Sequence, residues 1–343
     1  MIAEAIQKLM NREEISYDMT RGVMDEIMNG EASEVQIASF LTALRMQGET
    51  VDNITACAAV MREHCTKFNP ENDVIDIVGT GGDEAFTFNI STVASFVVAA
   101  AGIPVAKHGN RSVSSKCGAA DVLETLGVVL NLSAEQNKKV LEECGMCFMF
   151  APVYHSSMKY AAPVRKELGV RTIFNILGPL ANPAGASLQL LGVYDEELVI
   201  PLAKVLANLG VKRALVVHGK DGLDEVTLCD DSIVCEVDNG NFQSYVLNPE
   251  DLGLKKCKTE DLTGGGPEEN AEIARRILDG EKGPKRDIVI LNAAFSIYLG
   301  IDGTTIADAV KIAEEMLDSG KAKAQMELFC ETTRKYAKMG ESV

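Results

Sequence analysis

The first 70 residues carry apolar side chains at spacings of three and four, which is the period of an amphipathic helix. This spacing predicts helices at residues 16–29, 33–47 and 50–64. Ser33 and Gln36 form a capping-box signature, and Gly30 and Gly48 stand where two of the helices should end. The pattern therefore predicts a small helical bundle at the N-terminus.

Beyond Pro70, short apolar runs alternate with helical stretches. Strands are predicted at residues 73–78, 105–107, 146–150, 188–194 and 214–218, and helices at residues 91–101, 133–144 and 196–209. This alternation is typical of a largely parallel sheet covered by helices on both faces. A hairpin with a turn at Asp238-Asn239-Gly240 is predicted over residues 233–246, and the C-terminal third predicts helices at 287–299 and 305–338. We therefore expect an α/β protein with a helical domain at residues 1–70 and a larger α/β domain, built on a mostly parallel central sheet, at residues 71–343.

Net charge and composition disfavour several classes of partner. A formal net charge of −17 disfavours a nucleic-acid partner, although it leaves room for a small phosphorylated ligand. The longest apolar stretch, residues 93–101, is too short to span a membrane, and the N-terminus lacks the pattern of a secretion signal. Cys144 and Cys147 form a Cys-x-x-Cys pair without a second pair, which favours packing over metal or redox chemistry. We expect a cytoplasmic protein with no membrane partner.

A glycine-rich segment, Gly79-Thr80-Gly81-Gly82-Asp83, follows the first predicted strand of the sheet. Glycine lets the backbone approach a ligand closely, and the amino end of a helix starting near Ser91 would favour an anion. The segment is neither a Walker loop nor a dinucleotide-binding GxGxxG motif. Taken alone, it is as compatible with a plain tight turn as with a phosphate site.

A second polar cluster, residues 107–116, begins where the next predicted strand ends. It gathers three cations, three hydroxyls, one amide and one imidazole within ten residues. A solvated loop would explain the charge, but not why basic residues gather here in so acidic a chain. Because ligands bind beyond the carboxyl ends of strands in an open parallel sheet, both clusters can face one ligand.

Several motifs together closely resemble those of anthranilate phosphoribosyltransferases. They are GTGGD at 79–83, NIST at 89–92, KHGNRSVSS at 107–115, AAPVRKELGVRTIFNILGPLANP at 161–183 and GLDE at 222–225. The resemblance spans essentially the whole chain. It implies a fold of the nucleoside phosphorylase/phosphoribosyltransferase type, in which helices around residues 160–185 join the helical domain. It also implies a homodimer and a role in tryptophan biosynthesis.

The resemblance further implies the residues that bind 5-phosphoribosyl 1-diphosphate (PRPP). They are Gly79, Gly82, Asp83, Thr87, Asn89, Ile90, Ser91, Thr92, Lys107, His108, Gly109, Asn110, Arg111, Ser112, Val113, Ser114, Ser115 and Ala119. Mg²⁺, at two ions per subunit, would be held by Ser91, Asp224 and Glu225, which offer the hard oxygen ligands that this ion prefers. From the residues alone, adjacent Asp224 and Glu225 are more typical of an exposed acidic pair.

The acceptor site is implied in the same way. Arg165 would bind the anthranilate carboxylate, while Asn110 and the Gly79 backbone would meet the amine side. Lys107, Asn110 and Arg165 are the expected catalytic residues. His108, His155 and Pro179 are expected neighbours of the acceptor. Without the resemblance, Arg165 reads as a surface residue of a helix.

The chain departs from the family pattern at two places. Ala119 stands where many relatives carry a hydroxyl, and His155-Ser156-Ser157 stands where His-Pro-Ala is common. The first departure affects a diphosphate contact and the second borders the acceptor site. Neither removes Arg165 or a metal ligand.

Two other functions fit parts of the pattern. A pyrimidine nucleoside phosphorylase has a related glycine turn, but its relatives favour glycine where this chain has Asn110. A non-catalytic nucleic-acid-binding relative would need a basic groove and could lose the acidic metal pair. We therefore expect a Mg²⁺-dependent transferase that acts at the anomeric carbon of PRPP, with anthranilate and PRPP as its small-molecule partners.

Overall fold

The computed structural model describes residues 1–112 and 116–340. Within these residues the strands are β1 Ile75–Gly79, β2 Val105–Gly109, β3 Met146–Phe150, β4 Leu188–Gly192, β5 Arg213–Gly219, β6 Ser232–Asp238 and β7 Asn241–Leu247. The helices are α1 Ile2–Met10, α2 Tyr17–Asn29, α3 Glu34–Gln47, α4 Val51–His64, α5 Ile90–Ala100, α6 Ala119–Leu126, α7 Ala134–Cys144, α8 Ala151–Tyr154, α9 Ala162–Leu168, α10 Phe174–Leu180, α11 Val199–Asn208, α12 Pro267–Leu278, α13 Pro284–Gly300, α14 Ile306–Asp318 and α15 Lys321–Gly340.

The N-terminal helices begin and end where local chemistry favours it. The Gln36 N–H donates to Ser33 Oγ at 3.3 Å, and the Ser33 N–H donates back to Gln36 Oε1 at 2.9 Å. These two bonds satisfy donors that the first turn of α3 leaves unpaired. Gly30 ends α2 with a left-handed φ of 75°, a conformation that glycine adopts without strain.

The seven strands form one sheet in the order β3-β2-β1-β4-β5-β6-β7. The first five strands run parallel, and β6 and β7 add an antiparallel hairpin at one edge. Asn239 and Gly240 both have positive φ at the hairpin turn, as a type I′ turn requires. The predicted fold class, a small helical domain with a larger, mostly parallel α/β domain, is confirmed.

Apolar side chains form a core on each face of the sheet. One core includes Phe96 of α5 and Phe295 of α13, together with residues of the C-terminal helices. The other joins Phe40 of α3 and Leu177 of α10 to strand residues such as Val216 of β5. The N-terminal helices therefore share a continuous core with α9, α10, α11 and one face of the sheet.

Strand order sets the position of the site. From β1 the chain moves to β2 and β3 on one side, whereas β4 and β5 lie on the other side. Such a change of direction leaves a crevice beyond the carboxyl ends of the adjacent strands, where α/β proteins bind ligands. Here the crevice lies beyond Gly79 and Gly192, which are paired at the ends of β1 and β4.

Some predicted elements differ in detail. The helical stretch predicted at residues 305–338 is two helices, α14 and α15, because Gly320 takes a φ of 75° between them. The stretch at 196–209 opens with a 3₁₀ turn, Glu196–Leu198, before α11.

Cys144 and Cys147 are buried, in keeping with a packing role. Among the helices of the described residues, none has both the length and the hydropathy needed to cross a bilayer.

Candidate active site

The glycine turn, residues 79–83, is attached to the end of β4. The Thr80 N–H donates to Gly192 O at 2.9 Å, and the Tyr194 N–H donates to Thr80 Oγ1 at 3.2 Å. These bonds hold the first half of the turn over the crevice between β1 and β4.

The second half of the turn points its backbone at a carboxylate. The Gly81 N–H donates to Asp224 Oδ2 at 2.6 Å, and Gly81 and Gly82 take φ values of 68° and 82° that a residue with a side chain rarely adopts. A methyl group on Gly79 would collide with the Asp224 carboxylate. The glycines thus allow the turn and Asp224 to be adjacent.

The two acidic residues predicted as metal ligands lie beside this turn and are partly buried. Burial, with repulsion from Asp83 and Glu225, raises the pKa of Asp224 well above its usual range. Burial also raises the pKa of Glu225 to about 7, although the Lys107 charge and the Ser91 N–H favour its ionised form. The Ser91 N–H donates to Glu225 Oε1 at 3.2 Å, which brings the start of α5 to the same place.

Lys107 is a buried cation facing this acidic group. Its ammonium donates to Ile77 O and, at 3.2 Å, to Ser91 Oγ. Burial lowers the pKa of Lys107, while the charges of Asp76 and Glu225 oppose that effect. A cation held at the carboxyl ends of β1 and β2 is suited to attract an anionic ligand into the crevice.

The donor set fits a hard divalent cation. Asp83, Asp224 and Glu225 bring carboxylates together, and Ser91 adds a hydroxyl. Over residues 1–112 and 116–340, no three His, Cys, Asp or Glu side chains are grouped so as to hold an ion by themselves. Mg²⁺ does not require such a cage, because it usually binds one or two carboxylates and takes its other ligands from water and substrate phosphates.

Two neighbouring histidines, His108 and His155, lie close to α10. His108 Nδ1 lies 3.2 Å from Gly178 O, and the His108 and His155 ring centroids are 5.0 Å apart. Burial lowers the pKa of His108 to about 3 and that of His155 to about 4. The Nε2 atoms of both rings are buried without a hydrogen-bond partner among the described residues. Pro179, also predicted near the acceptor, is buried in α10.

The segment after β2 carries the other predicted PRPP contacts. Asn110 is exposed, and Arg111 pairs with Asp121 at 2.9 Å and Glu124 at 2.8 Å. The Ser112 N–H donates to Asp121 Oδ2 at 3.1 Å. Val113, Ser114 and Ser115 lie outside the described residues.

Ala119 begins α6 and lies close to the end of β2. A methyl group added to Gly109 would lie 3.5 Å from the Ala119 Cβ. A hydroxyl on the side chain at position 119 would therefore stand beside the Gly109 backbone. The side chain present here offers only a methyl group at that position.

The residues before and within the start of α5 are held by neighbours from the C-terminal part of the chain. Thr87 forms an isolated bridge with Thr263, and Asn89 accepts a hydrogen bond from Asn270 at 3.0 Å while donating to Cys117 O at 3.1 Å. The side chains of Ile90 and Thr92 are buried, and Thr92 Oγ1 has no partner among the described residues.

Arg165, on α9, is a partly buried cation. Its guanidinium carbon lies 5.1 Å from the Phe174 ring centroid, and burial lowers its pKa. No acidic side chain of the described residues forms an ion pair with it. A partly buried guanidinium without an acidic partner among the described residues is suited to bind the carboxylate of a ligand.

Two polar residues outside the predicted set, Asp76 and Arg171, support the site. Asp76 accepts the His108 N–H at 3.2 Å and a bond from Asn182 Nδ2 at 2.8 Å, and burial raises the pKa of Asp76 to about 6. The sequence does contain a signal for Asp76, because it is an acidic residue inside an otherwise apolar strand. Arg171 contacts Gly82 in the glycine turn, and only the fold brings them together.

Comparisons with known proteins agree with this architecture. The model of a glycosyl transferase family α/β domain matches residues 71–323, and the helical bundle domain of the same family matches residues 3–65. An anthranilate phosphoribosyltransferase from Ruminiclostridium cellulolyticum is 64% identical over 336 residues, 98% of either chain.

Solved structures give the same result. The crystal structure of the anthranilate phosphoribosyltransferase from Thermus thermophilus has a TM-score of 0.91 and 45% identity, covering 96% of this chain and 99% of that one. The enzyme from Saccharomyces cerevisiae, in complex with PRPP and Mg, has a TM-score of 0.90 and 28% identity, covering 97% and 98%. Matches of this extent over both domains confirm the resemblance seen in the motifs, and the chain belongs to the anthranilate phosphoribosyltransferase family.

Proposed function

We propose that this chain transfers the phosphoribosyl group of PRPP to the amine of anthranilate. The products are N-(5-phosphoribosyl)anthranilate and diphosphate, a reaction of tryptophan biosynthesis. The observation that carries the proposal is the grouping of the glycine turn, Lys107 and the Asp224–Glu225 pair beyond the carboxyl ends of β1, β2 and β4. Family membership and the similarity to a PRPP-bound enzyme support it.

The PRPP side of the site is assigned to the glycine turn, the start of α5 and the segment after β2. Backbone amides of the turn and the amino end of α5 favour an anion, and Lys107 supplies a full positive charge. The residues assigned to PRPP are Gly79, Gly82, Asp83, Thr87, Asn89, Ile90, Ser91, Thr92, Lys107, His108, Gly109, Asn110, Arg111, Ser112 and Ala119, with Val113, Ser114 and Ser115 proposed from the motif alone.

Ser91, Asp224 and Glu225 would hold Mg²⁺, at two ions per subunit. When bound, the metal supplies positive charge that stabilises the departing diphosphate. The chain itself contributes the close approach of Asp224 to the Gly81 N–H and of Glu225 to the Ser91 N–H. These contacts orient both carboxylates towards the crevice.

Anthranilate is assigned to the side of the site formed by α9 and α10. Arg165 would bind its carboxylate, since this guanidinium lacks an acidic partner among the described side chains and stacks on Phe174. Asn110 and the Gly79 backbone would meet the amine, with His108, His155 and Pro179 as neighbours. Orientation of the amine, more than proton transfer, is the expected contribution of these residues.

The chemical step is a displacement at the anomeric carbon of the ribose. The amine nitrogen forms a bond to that carbon as the bond to the diphosphate oxygen breaks, and the leaving oxygen takes the electron pair. Lys107 is placed to stabilise the negative charge that grows on the diphosphate. The aromatic amine attacks in its neutral form and loses its proton afterwards, so the step requires no general base.

The domain boundaries, the oligomeric state and the cellular compartment are also part of the proposal. We assign residues 1–70, with helices around 160–185, to a helical domain and residues 71–343 to the α/β domain, which the shared core of α3 and α10 supports. We propose a homodimer in the cytoplasm.

The test is the loss of anthranilate fluorescence after PRPP is added, with Mg²⁺ and then with a chelator. We expect loss that depends on Mg²⁺ and releases one diphosphate per anthranilate consumed. A well-folded protein that leaves anthranilate unchanged would contradict the proposal and move attention to another acceptor.

A further inference from the structure

The guanidinium of Arg171 lies between the glycine turn and Tyr194. Arg171 Nη2 donates to Gly82 O at 2.5 Å, and its guanidinium carbon stands 4.3 Å from the Tyr194 ring centroid. A methyl group on Gly82 would lie 3.5 Å from Nη2 and 3.7 Å from the guanidinium carbon, so the cation lies against this glycine. Arg171 therefore contacts both the turn and Tyr194, two residues beyond the end of β4.

Among the described residues, Arg171 provides the hydrogen bond that holds the Gly82 part of the turn, whereas other groups hold Thr80 and Gly81. Thr80 is attached to Gly192 and Tyr194, and Gly81 is attached to Asp224. Gly82 has a φ of 82° and no side chain with which to hold itself in place. A charge-assisted hydrogen bond from Arg171 is suited to fix its peptide group, and the aromatic ring restricts where the guanidinium can lie.

Arg171 comes from the acceptor side of the molecule. It lies in the segment between α9, which carries Arg165, and α10, whose Gly178 carbonyl faces His108. One side chain thus joins the segment assigned to anthranilate with the turn assigned to PRPP. The sequence separation from Arg171 to Gly82 is 89 residues, so the contact depends on the tertiary fold.

We propose that Arg171 is a positioning residue that holds the Gly82 end of the glycine turn, and that it acts together with Tyr194 to set the affinity for the diphosphate of PRPP. The inference rests on the proposed function of the turn. Arg171 orients the backbone that faces the diphosphate and takes no part in bond making. Its loss leaves the turn in place at Thr80 and Gly81 but lets the Gly82 peptide rotate.

The test is a double-mutant cycle with Arg171→Met and Tyr194→Leu. Arg171→Met removes the donor and the charge at similar length, and Tyr194→Leu removes the ring while the backbone bond to Thr80 is kept. We expect Arg171→Met to raise KM for PRPP about tenfold, the size of effect that one charge-assisted bond accounts for. We expect kcat and KM for anthranilate to change less than about twofold, because groups that act through PRPP binding alone alter KM for PRPP.

The double variant distinguishes a positioning role of Arg171 from a direct bond between Arg171 and the diphosphate. Tyr194→Leu should raise KM for PRPP about threefold, and the double variant should match Arg171→Met alone because the two side chains act as one unit. Arg171→Lys should recover part of the affinity. Full multiplication of the two effects, or no effect of Tyr194→Leu, would overturn the proposal and indicate a direct bond from Arg171 to the diphosphate.

The chain offers a control arginine at the opposite end of the parallel strands, where β5 begins. Arg213 donates to the Leu299 carbonyl at 2.9 Å and lies 5.2 Å from the Tyr298 ring centroid, as Arg171 does with Gly82 and Tyr194. It differs in also pairing with Asp302 at 3.4 Å and Asp238 at 4.0 Å. Arg213→Met should leave KM for PRPP unchanged, even if it lowers the thermal midpoint. An equal rise in both variants would show a general loss of stability and overturn the inference.

Calorimetric titration of each variant with PRPP and Mg²⁺, without anthranilate, provides a readout apart from turnover. The affinity should fall in Arg171→Met by the same factor as KM rises. A wild-type protein without turnover would contradict the proposed function. Normal turnover and unchanged PRPP affinity in Arg171→Met would instead overturn only the role of Arg171.

Discussion

A side chain at Gly192 would collide with the backbone carbonyl of Asp224, because the end of β4 and the acidic segment are in direct contact. A side chain at Gly79, which pairs with Gly192 at the end of β1, would likewise collide with the Asp224 carboxylate. The two strand ends that border the crevice therefore both carry glycine. The position of Asp224 depends on this absence of side chains.

Gly192→Ala should displace Asp224 and with it the proposed metal site. We expect kcat/KM to fall at least about 100-fold and the free energy of unfolding to fall by about 1–3 kcal/mol, the usual cost of overpacking. Steady-state kinetics and urea unfolding measure the two effects. Gly266→Ala is the control, since a methyl group there meets open space and φ is negative. Wild-type kinetics in Gly192→Ala would show that the Asp224 backbone moves without consequence.

Arg165→Ala should weaken the use of anthranilate far more than the binding of PRPP. Loss of a charged pair to a carboxylate costs about 1.5–3 kcal/mol, so kcat/KM for anthranilate should fall about 10- to 100-fold. Kinetics with each substrate varied in turn, and calorimetry with PRPP, separate the two effects. Lys166→Ala, the exposed neighbour on α9, should behave as wild type. Equal weakening towards both substrates would rule out the assignment.

Asp224→Asn and Glu225→Gln should each raise the Mg²⁺ concentration that gives half-maximal rate, because a neutral amide is a weaker ligand for this ion. We expect an increase of at least about tenfold, equivalent to ~1.4 kcal/mol. The measurement is the initial rate against Mg²⁺ at saturating substrates. Asp230→Asn tests a carboxylate that pairs loosely with Lys256 at 3.9 Å and should leave the curve unchanged. Identical Mg²⁺ curves in all three variants would contradict the site.

Acid should destabilise the protein through His108 and His155. Their pKa values are lowered to about 3 and about 4 in the folded chain, whereas an unfolded imidazole titrates near 6.5. The stability that their neutral forms provide is complete above pH 6.5 and is lost as the pH falls through 6.5 towards 4, because the unfolded state then binds more protons. Each ring should cost about 2 kcal/mol at pH 5.

His155→Gln removes one of these rings. Between pH 7 and pH 5 its free energy of unfolding should fall by about 2 kcal/mol less than that of the wild type, because other titrating groups cancel in the comparison. Urea unfolding at the two pH values gives the difference. The same pH dependence in both proteins would mean that His155 titrates normally when folded.

Much of the fold follows from local chemistry and could be read from the sequence. Helices α2, α3 and α4 have their capping residues Ser16, Ser33 and Thr50 within three residues of the amides that they accept. The hairpin follows from Asn239-Gly240, since both residues tolerate positive φ. The glycine turn and the segment after β2 could also be located from the sequence, because the residues of each are contiguous and the motifs are specific when taken together.

Contacts between distant segments could not be read in this way. The position of β1 between β2 and β4 decides that Gly79 and Gly192 border one crevice, and no local pattern encodes strand order. The side chain of Asn89 was expected at PRPP from its motif, yet its amide is also bonded to Asn270, 181 residues away.

The physical reason lies in the range of the interactions. Capping, turn geometry and apolar period act over a few residues, so the one-dimensional order of the chain already contains them. The burial of Lys107, the depressed pKa values of His108 and His155, and the contact of Arg171 with Gly82 depend on which surfaces pack together. Desolvation and charge proximity are properties of the packed molecule, and only the tertiary structure decides them.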